Sequence, residues 1–316
     1  MIFTDSQQKI ADELLTPRMG TDIMAPLIHF LTRFTRPQNV LEGGAGYTTA
    51  FLAKALADNK RDFDEDFELL RKKTEPYLAD VESIVQSDPA SMVVHRDEKF
   101  APIGLRDLYG EKASVLARRR FEWLLEKPSW VRPSYYLRPY HPKLFCIDKL
   151  SSPYSSASRV PKVIERLELS DYVKFENVDF WSFKPHSIPV AQLPIDLIWI
   201  DLPVGVREMN SLLVGDYWKC LNPDGGLLII HDMMTTRGGQ LLVNEFKRRQ
   251  KESRFKDFEL IGLLEPQRLM QGDFIMLRKT SGNPLEPVDD VIQFAGADIL
   301  ENEAQAIINR APKTAE

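Results

Sequence analysis

A short apolar strand that breaks into glycines constrains this chain more than any other segment. Asn39-Val40-Leu41 runs into Glu42-Gly43-Gly44-Ala45-Gly46, and a helical segment over 49–59 follows. Glycine adopts positive φ and lets a ligand approach the backbone closely, while the first turn of a helix offers unpaired N–H groups. The run is therefore typical of a nucleotide-type cofactor loop. The same turn also serves as a plain structural device, so its context has to decide.

Composition indicates an ordinary globular protein. The chain has 316 residues, of which 43% are hydrophobic and 28% charged, so it can bury a substantial core. The net charge of -5 provides no overall attraction to nucleic acid. Cys146 and Cys220 are the only cysteines, which supports neither a disulfide framework nor a cysteine zinc site. No segment has the pattern of a signal peptide or a membrane span, so we expect a cytoplasmic protein without membrane partners.

Apolar segments with strand character are spaced along the chain, and helical segments separate most of them. Strands are predicted over 39–41, 144–147, 172–175, 197–200, 226–230, 258–264 and 274–277. Helices are predicted over 161–167, 211–220 and 240–251. Strands that alternate with helices indicate an α/β protein with a parallel, doubly wound sheet. The last two strands indicate a closing antiparallel hairpin.

The order of these segments resembles the class I S-adenosylmethionine-dependent methyltransferases. Glu42 to Thr48 matches the acid-x-Gly-x-Gly motif of that family, with Thr48 where a third glycine often stands. The turn Asn222-Pro223-Asp224-Gly225-Gly226 before the fifth strand and the terminal hairpin are further traits of the family. The resemblance covers about half of the chain. It implies a Rossmann-like, mostly parallel seven-stranded sheet and an enzyme that uses S-adenosylmethionine.

The resemblance also implies which residues bind the cofactor. They are Glu42, Gly44, Gly46, Tyr47, Thr48, Asp148, Asp179 and Asp201. Asp148 ends the second strand, like the acid that holds the ribose in the family, and Asp179 matches the acidic position near adenine. Ligands of parallel sheets bind at the carboxyl ends of the strands, where these acids fall. A row of acids suits S-adenosylmethionine, which carries no phosphate, better than a dinucleotide. An NAD(P)-dependent oxidoreductase stays the alternative, although Gly-x-Gly-x-x-Gly is absent.

The expected reaction is methyl transfer to a small molecule, with oxygen favoured over nitrogen as the acceptor. The protein has to align a nucleophile with the methyl group, and a hydroxyl nucleophile benefits from a base. His231 is the first candidate for that base, followed by Asp201 and His186. Magnesium is not favoured, but if it is used, Asp201 and Asp232 would hold it. Aminobutyryl transfer or cyclisation, and a non-catalytic cofactor-binding protein, are the further alternatives.

A long insertion departs from the family pattern. Roughly a hundred residues separate Gly46 from Asp148, which is too long for a structureless loop in a compact domain. We expect an N-terminal helical segment over 1–36, a cofactor-binding domain over 37–59 and 143–280, an inserted helical lid or substrate subdomain over 60–142, and a tail with one helix over 281–316. The segment 92–97 is a rival second strand, ranked lower because no helix and strand follow it at the expected spacing. The insertion or the tail is also a candidate homodimer contact.

Overall fold

The computed structural model describes residues 2–17, 20–87, 115–128, 133–150, 156–213, 215–251, 258–265, 272–280 and 299–310. The rival strand 92–97 lies outside these residues. The fold divides into two compact units, which we name the sheet unit (Met1–Lys60 with His141–Pro284) and the helical unit (Arg61–Tyr140 with Leu285–Glu316). The roles predicted for 60–142, as a lid or a substrate subdomain, stay predictions.

The sheet unit is built on one sheet. Its strands are β1 (Asn39–Gly43), β2 (Lys143–Ile147), β3 (Val173–Glu176), β4 (Leu197–Ile200), β5 (Leu227–His231), β6 (Phe258–Leu264) and β7 (Asp273–Lys279). They form a seven-stranded sheet in the order β3-β2-β1-β4-β5-β7-β6. Neighbouring strands are parallel except that β7 runs antiparallel to both β5 and β6. The predicted fold class, a doubly wound and mostly parallel sheet with a C-terminal antiparallel hairpin, is confirmed.

Helices connect and cover these strands. They are α1 (Asp5–Ala11), α2 (Thr21–Thr35), α3 (Tyr47–Ser87), α4 (Val115–Leu125), α5 (Pro133–Leu137), α6 (Val160–Arg166), α7 (Val206–Leu213), α8 (Asp216–Cys220), α9 (Arg237–Lys251) and α10 (Ile299–Asn309). The helix predicted over 211–220 is in fact two, because Gly215 stands at the N-cap of α8 in an extended conformation.

Helix α3 is much longer than the sequence pattern suggested. The predicted helix ended at Asn59, whereas α3 continues without interruption for 41 residues, from the sheet unit into the helical unit. No glycine or proline lies between Asn59 and Pro76, so nothing in the backbone chemistry ends the helix there. Pro76 lies inside α3.

The two faces of the sheet bury different partners, because successive side chains of a strand point to opposite faces. One face, which we name the α2 face, carries Val40, Trp199 and Ile229 and packs with α2, α6 and the start of α3. The other, the α9 face, carries Ile198 and Ile230 and packs with α8 and α9. Burial on both faces explains why β4 and the first four residues of β5 are continuous apolar runs.

The helical unit has an aromatic core of its own. Tyr77 of α3 stacks on Trp123 of α4, with ring centroids 4.5 Å apart and planes at 11°. Beside this stack the Arg120 guanidinium makes two hydrogen bonds with Glu301 of α10, at 2.8 and 2.9 Å. The helix predicted in the tail is therefore part of this core. Across the portion of the chain that the structure describes, no helix is both long and apolar enough to cross a membrane.

Candidate functional site

The glycine loop after β1 has a conformation that only glycine can supply. Gly44 has φ 98°, in the left-handed region, and a Cβ there would lie 2.6 Å from the backbone oxygen of Asp201. A Cβ on Gly43 would lie 2.7 Å from the ring of Phe180. The backbone N–H of Ala45 donates to Asp148 Oδ2 at 2.8 Å. The loop that follows β1 thus contacts the residues at the ends of both β2 and β4.

A buried polar chain lies under this loop. Glu42, at the end of β1, is fully buried, and its Oε1 accepts a hydrogen bond from the Thr48 hydroxyl at 2.8 Å. Thr48 Oγ1 in turn accepts a hydrogen bond from the indole Nε1 of Trp199 at 3.3 Å. Glu42 Oε2 is buried without a hydrogen-bond partner, and burial raises the pKa of this carboxyl to about 8, with the charge of Asp201 acting in the same direction. Glu42 and Thr48 therefore support the loop from beneath.

Tyr47 points its hydroxyl toward the N-terminal segment. That hydroxyl donates to Asp12 Oδ1 at 3.0 Å and accepts from Gln8 Nε2 at 3.0 Å. Burial and the neighbouring Asp12 carboxylate raise the pKa of Tyr47 to about 12. The contact fastens the N-terminal segment to the first turn of α3, so the hydroxyl of this predicted cofactor residue is engaged by its own chain.

Asp201 and His231 form the closest pair of ionisable groups at this end of the sheet. Asp201 Oδ1 lies 2.7 Å from His231 Nδ1. The register of β4 against β5 pairs Ile200 with Ile230, so the next two residues meet at the carboxyl ends of the strands. The side chain of Asp201 is 21% exposed and that of His231 only 3% exposed. Trp199 stacks on the imidazole with centroids 5.8 Å apart. The carboxylate is thus the member of the pair that a ligand can reach.

Three other predicted residues, Asp148, Asp179 and His186, have different surroundings from one another. Asp148 has its Oδ2 on the glycine loop, and its Oδ1 makes no hydrogen bond within the described structure. Asp179 is engaged twice, because Lys149 lies 3.1 Å away and the backbone N–H of Trp181 donates to Oδ1 at 2.9 Å. The Lys149 ammonium keeps the pKa of Asp179 below its usual range. His186 lies exposed on the surface, 3.6 Å from Asp216.

A buried aspartate that the sequence analysis missed holds the turn after β5. Asp273 is fully buried and accepts hydrogen bonds from the backbone N–H groups of Met233, Met234 and Thr235 at 2.7, 2.5 and 2.8 Å. Three backbone donors on one carboxylate fix the chain just beyond His231. The signal was available, since Asp273 directly precedes an apolar strand, but it lay in a connection predicted as a loop.

Asp201 and Asp232, which would hold magnesium if that ion is used, make different contacts. Asp201 is bonded to His231, whereas Asp232 has φ 55° and accepts a hydrogen bond from the Thr235 hydroxyl at 2.6 Å. Among the residues that the structure describes, no group of three or more His, Cys, Asp or Glu side chains could hold a metal ion. We therefore assign the two aspartates to separate contacts, one in the site and one in the turn after it.

No protein-family model matches the chain, and no curated protein matches it. Similar solved structures include the O-methyltransferase TomG from Streptomyces achromogenes, involved in tomaymycin synthesis and in complex with SAM, at 13% identity over 88% of this chain and 91% of that chain, with a TM-score of 0.45. An O-methyltransferase from Bacillus cereus in complex with SAH has 14% identity over 89% and 93%, with a TM-score of 0.45. An rRNA methylase from Streptococcus thermophilus has 13% identity over 46% and 81%, with a TM-score of 0.31.

At such identities and TM-scores these likenesses carry no argument about the substrate or reaction of this chain. The fold assignment depends on the strand order itself and on the antiparallel β7. The chain has the fold of the class I S-adenosylmethionine-dependent methyltransferases.

Proposed function

We propose that this chain is an enzyme that transfers a methyl group from S-adenosylmethionine to a hydroxyl of a small molecule. The observation that carries the proposal is the 2.7 Å contact between Asp201 and His231, beside a glycine loop whose Gly44 touches the backbone of Asp201. A partly exposed carboxylate next to a cofactor loop is the arrangement that a base for a hydroxyl nucleophile requires.

The residues at the strand ends fit this cofactor. The free Oδ1 of Asp148 can accept hydrogen bonds from a ribose diol, and the backbone of Gly46 is accessible, since a Cβ there would have Ser156 Oγ as its neighbour at 3.6 Å. Asp148 and Asp201 would repel a pyrophosphate, whereas a cofactor with ammonium and sulfonium groups is compatible with them. When bound, S-adenosylmethionine supplies an electrophilic methyl group.

Asp201 and His231 take different roles in the proposal. Asp201 accepts the proton that the acceptor hydroxyl loses, because its side chain is the exposed one. His231 holds the carboxylate in place through Nδ1 and is itself held by the ring of Trp199. This reverses the order of the sequence-based prediction, in which His231 was the first candidate base. A neutral amine needs no base before it attacks, so the pair favours an oxygen acceptor.

The first experiment measures cofactor use. The full chain is incubated with S-adenosylmethionine and a panel of small hydroxyl compounds, and the products are identified by mass spectrometry. S-adenosylhomocysteine supports methyl transfer, while methylthioadenosine would support aminobutyryl chemistry instead. Calorimetry that shows no binding of S-adenosylmethionine would contradict the proposal, and binding of NAD(P) in its place would favour the oxidoreductase.

Variants locate the cofactor site. Asp148→Ala and Glu42→Ala should weaken S-adenosylmethionine binding, the first by removing the ribose acceptor and the second by loosening the loop. Asp216→Ala is the matched control, because Asp216 is an exposed aspartate whose neighbour is His186. Unchanged affinity in both Asp148→Ala and Glu42→Ala would refute the site.

Chelation tests whether the reaction needs a metal. Activity that survives EDTA supports the metal-free proposal, and activity lost with EDTA and restored by magnesium contradicts it.

A further inference from the structure

Strand β6 is the outer strand at one side of the sheet, and half of its backbone groups point outward. The N–H of Glu265 donates to the carbonyl of Gly272 at 2.8 Å, which makes these two a hydrogen-bonded pair of the β6–β7 hairpin. Such pairs alternate along antiparallel strands, so Glu259, Ile261 and Leu263 bond to β7. The N–H and C=O groups that point away from β7 are those of Phe258, Leu260, Gly262 and Leu264.

The side chains of β6 lack the features that usually prevent an edge strand from pairing with another strand. Proteins commonly protect an edge strand with charges, with proline or by keeping it very short. The seven residues of β6 include no proline, and its single charged residue, Glu259, is neutralised by two hydrogen bonds from Arg278 at 2.7 and 2.9 Å. Ile261 and Leu263, on the α2 face, are 46% and 49% exposed. Within the residues that the structure describes, the β6 edge is therefore mostly apolar.

Helix α2 extends this apolar surface. Its Leu27 and Leu31 line a small cavity with Phe274 of β7, while Asn59 of α3 donates to Thr32 on the opposite flank. Helical spacing places Phe30 and Phe34 on the flank toward β7 and β6. These two rings stack with centroids 6.4 Å apart and are 63% and 77% exposed.

The size of this surface matches a contact between subunits. At roughly 200 Å² for a fully exposed large side chain, Phe30, Phe34, Ile261 and Leu263 offer about 450 Å² of accessible area. A standard interface buries about 800 Å² on each partner, so these four residues alone supply more than half of that area.

We propose that the β6 edge binds a second copy of this chain, by antiparallel pairing of β6 with β6 of the partner subunit about a two-fold axis at Ile261. In this register Leu260 lies opposite Gly262 of the partner subunit, so backbone groups that point away from β7 face each other across the seam. Glu259 lies opposite Leu263 of the partner subunit, so no like charges meet. The two-fold axis is perpendicular to the sheet, so the aromatic pairs of both copies flank the seam on one face.

Disulfide trapping tests the register. In the proposed dimer Ile261 faces its own copy as a non-hydrogen-bonded pair, with Cα atoms about 4.5 Å apart, which a disulfide can span. Ile261→Cys should therefore form, under mild oxidation, a covalent species of twice the 36.3 kDa chain mass. Leu263→Cys is the matched control, because in the dimer it faces Glu259 of the partner subunit and should form no covalent dimer. Equal trapping of both variants, or of neither, overturns the proposed register.

The oligomeric state and the edge amides test the surface itself. Sedimentation of the full chain should show a dimer, and Ile261→Lys combined with Leu263→Lys should convert it to a monomer. Leu241→Lys is the control, since Leu241 is also 63% exposed but belongs to α9, on the other face of the sheet.

Hydrogen exchange of the native chain should show that the amides of Leu260 and Gly262 are protected, and that they exchange faster on dilution. A monomeric native chain, or edge amides that exchange freely at high concentration, overturns the proposal.

Discussion

Two carboxylates, Asp201 in the sheet unit and Glu301 in the helical unit, are each paired with a nitrogen-containing side chain. They differ in the number of hydrogen bonds that they accept. Glu301 accepts hydrogen bonds from Arg120 on both oxygens, and the Tyr77 hydroxyl adds a third bond at 2.8 Å. The carboxylate of Asp201 has one hydrogen bond, between Oδ1 and His231, and its Oδ2 has no hydrogen-bond partner among the described residues. The first carboxylate is fully engaged in holding its helices together, and the proposed function gives the second an oxygen for a ligand.

In the proposed function, this difference separates a structural pair from a catalytic one. A buried ion pair that loses one partner destabilises the fold, because a charge is left without compensation. Removing the charge of a carboxylate that serves as a catalytic base costs little stability, but the proton transfer is lost. Matched substitutions of carboxylate by amide in the two places should therefore affect different measurements.

Asp201→Asn should give the largest effect, and it should appear in catalysis. Asparagine keeps the shape and a contact with His231 but cannot accept the proton, so kcat at saturating S-adenosylmethionine should fall by about 100- to 10,000-fold. Circular dichroism melting should show a fold as stable as that of the native chain. An unaltered kcat in this variant would remove Asp201 from the mechanism and the contrast with Glu301.

Glu301→Gln should act on stability instead. Arg120, which is 5% exposed, then loses its charged partner, and the free energy of unfolding should fall by about 3 kcal/mol in urea titrations. Glu68→Gln is the control, because it removes a surface partner of Arg71 and should change the free energy of unfolding by less than ~0.5 kcal/mol. Equal effects of the two substitutions would mean that the buried pair is no stronger than a surface one.

Glu42→Gln should change the pH dependence of unfolding. The pKa of Glu42 is raised to about 8 in the folded chain, so between pH 4.5 and 8 the folded state holds a proton that the unfolded state has released. The contribution of Glu42 to stability therefore falls as pH rises through this window, by about 1.4 kcal/mol per pH unit, and the glutamine variant lacks this dependence.

The readout for Glu42 is the difference in unfolding free energy, variant minus native, measured at several pH values. It should rise from pH 5 to 8 and level off above. Glu165→Gln, an exposed glutamate on α6, is the control and should give a flat difference. A flat difference for Glu42→Gln as well would show that this carboxyl titrates normally despite its burial.

Tyr77→Phe should give the smallest effect of the series. It removes one hydrogen bond to Glu301 and keeps the stack on Trp123, so the free energy of unfolding should fall by about 1 kcal/mol. A loss as large as that of Glu301→Gln would mean that the hydroxyl, and not the guanidinium, compensates the carboxylate.

Local pattern was enough to predict the sheet but not its contacts. The strands at 197–200 and 258–264 have the predicted bounds, because an apolar run flanked by turn residues specifies a buried strand without tertiary information. The proximity of Asp201 and His231 depends on the register of β4 against β5, which couples residues far apart in the sequence. For the same reason, the burial of Glu42 above Trp199 could not be derived from the glycine motif alone.

The errors have local causes as well. The prediction that ended α3 at Asn59 treated the inserted segment as a separate body, although the sequence from 60 to 75 contains no helix breaker. Asp273 was missed because a loop aspartate is usually solvated, and only the return of β7 beside β5 buries it against three backbone donors.

The position of Asp273 in the chain has a consequence for biosynthesis. Chains fold from the N-terminal end while the ribosome is still adding residues, and β1, β4 and β5 can assemble before β7 exists. The turn beyond His231 nevertheless lacks its anchor until Asp273 has left the ribosome. A nascent chain that stalls, or a fragment that stops, before this residue would carry every predicted ligand-binding and catalytic residue and still lack a fixed end to the fifth strand.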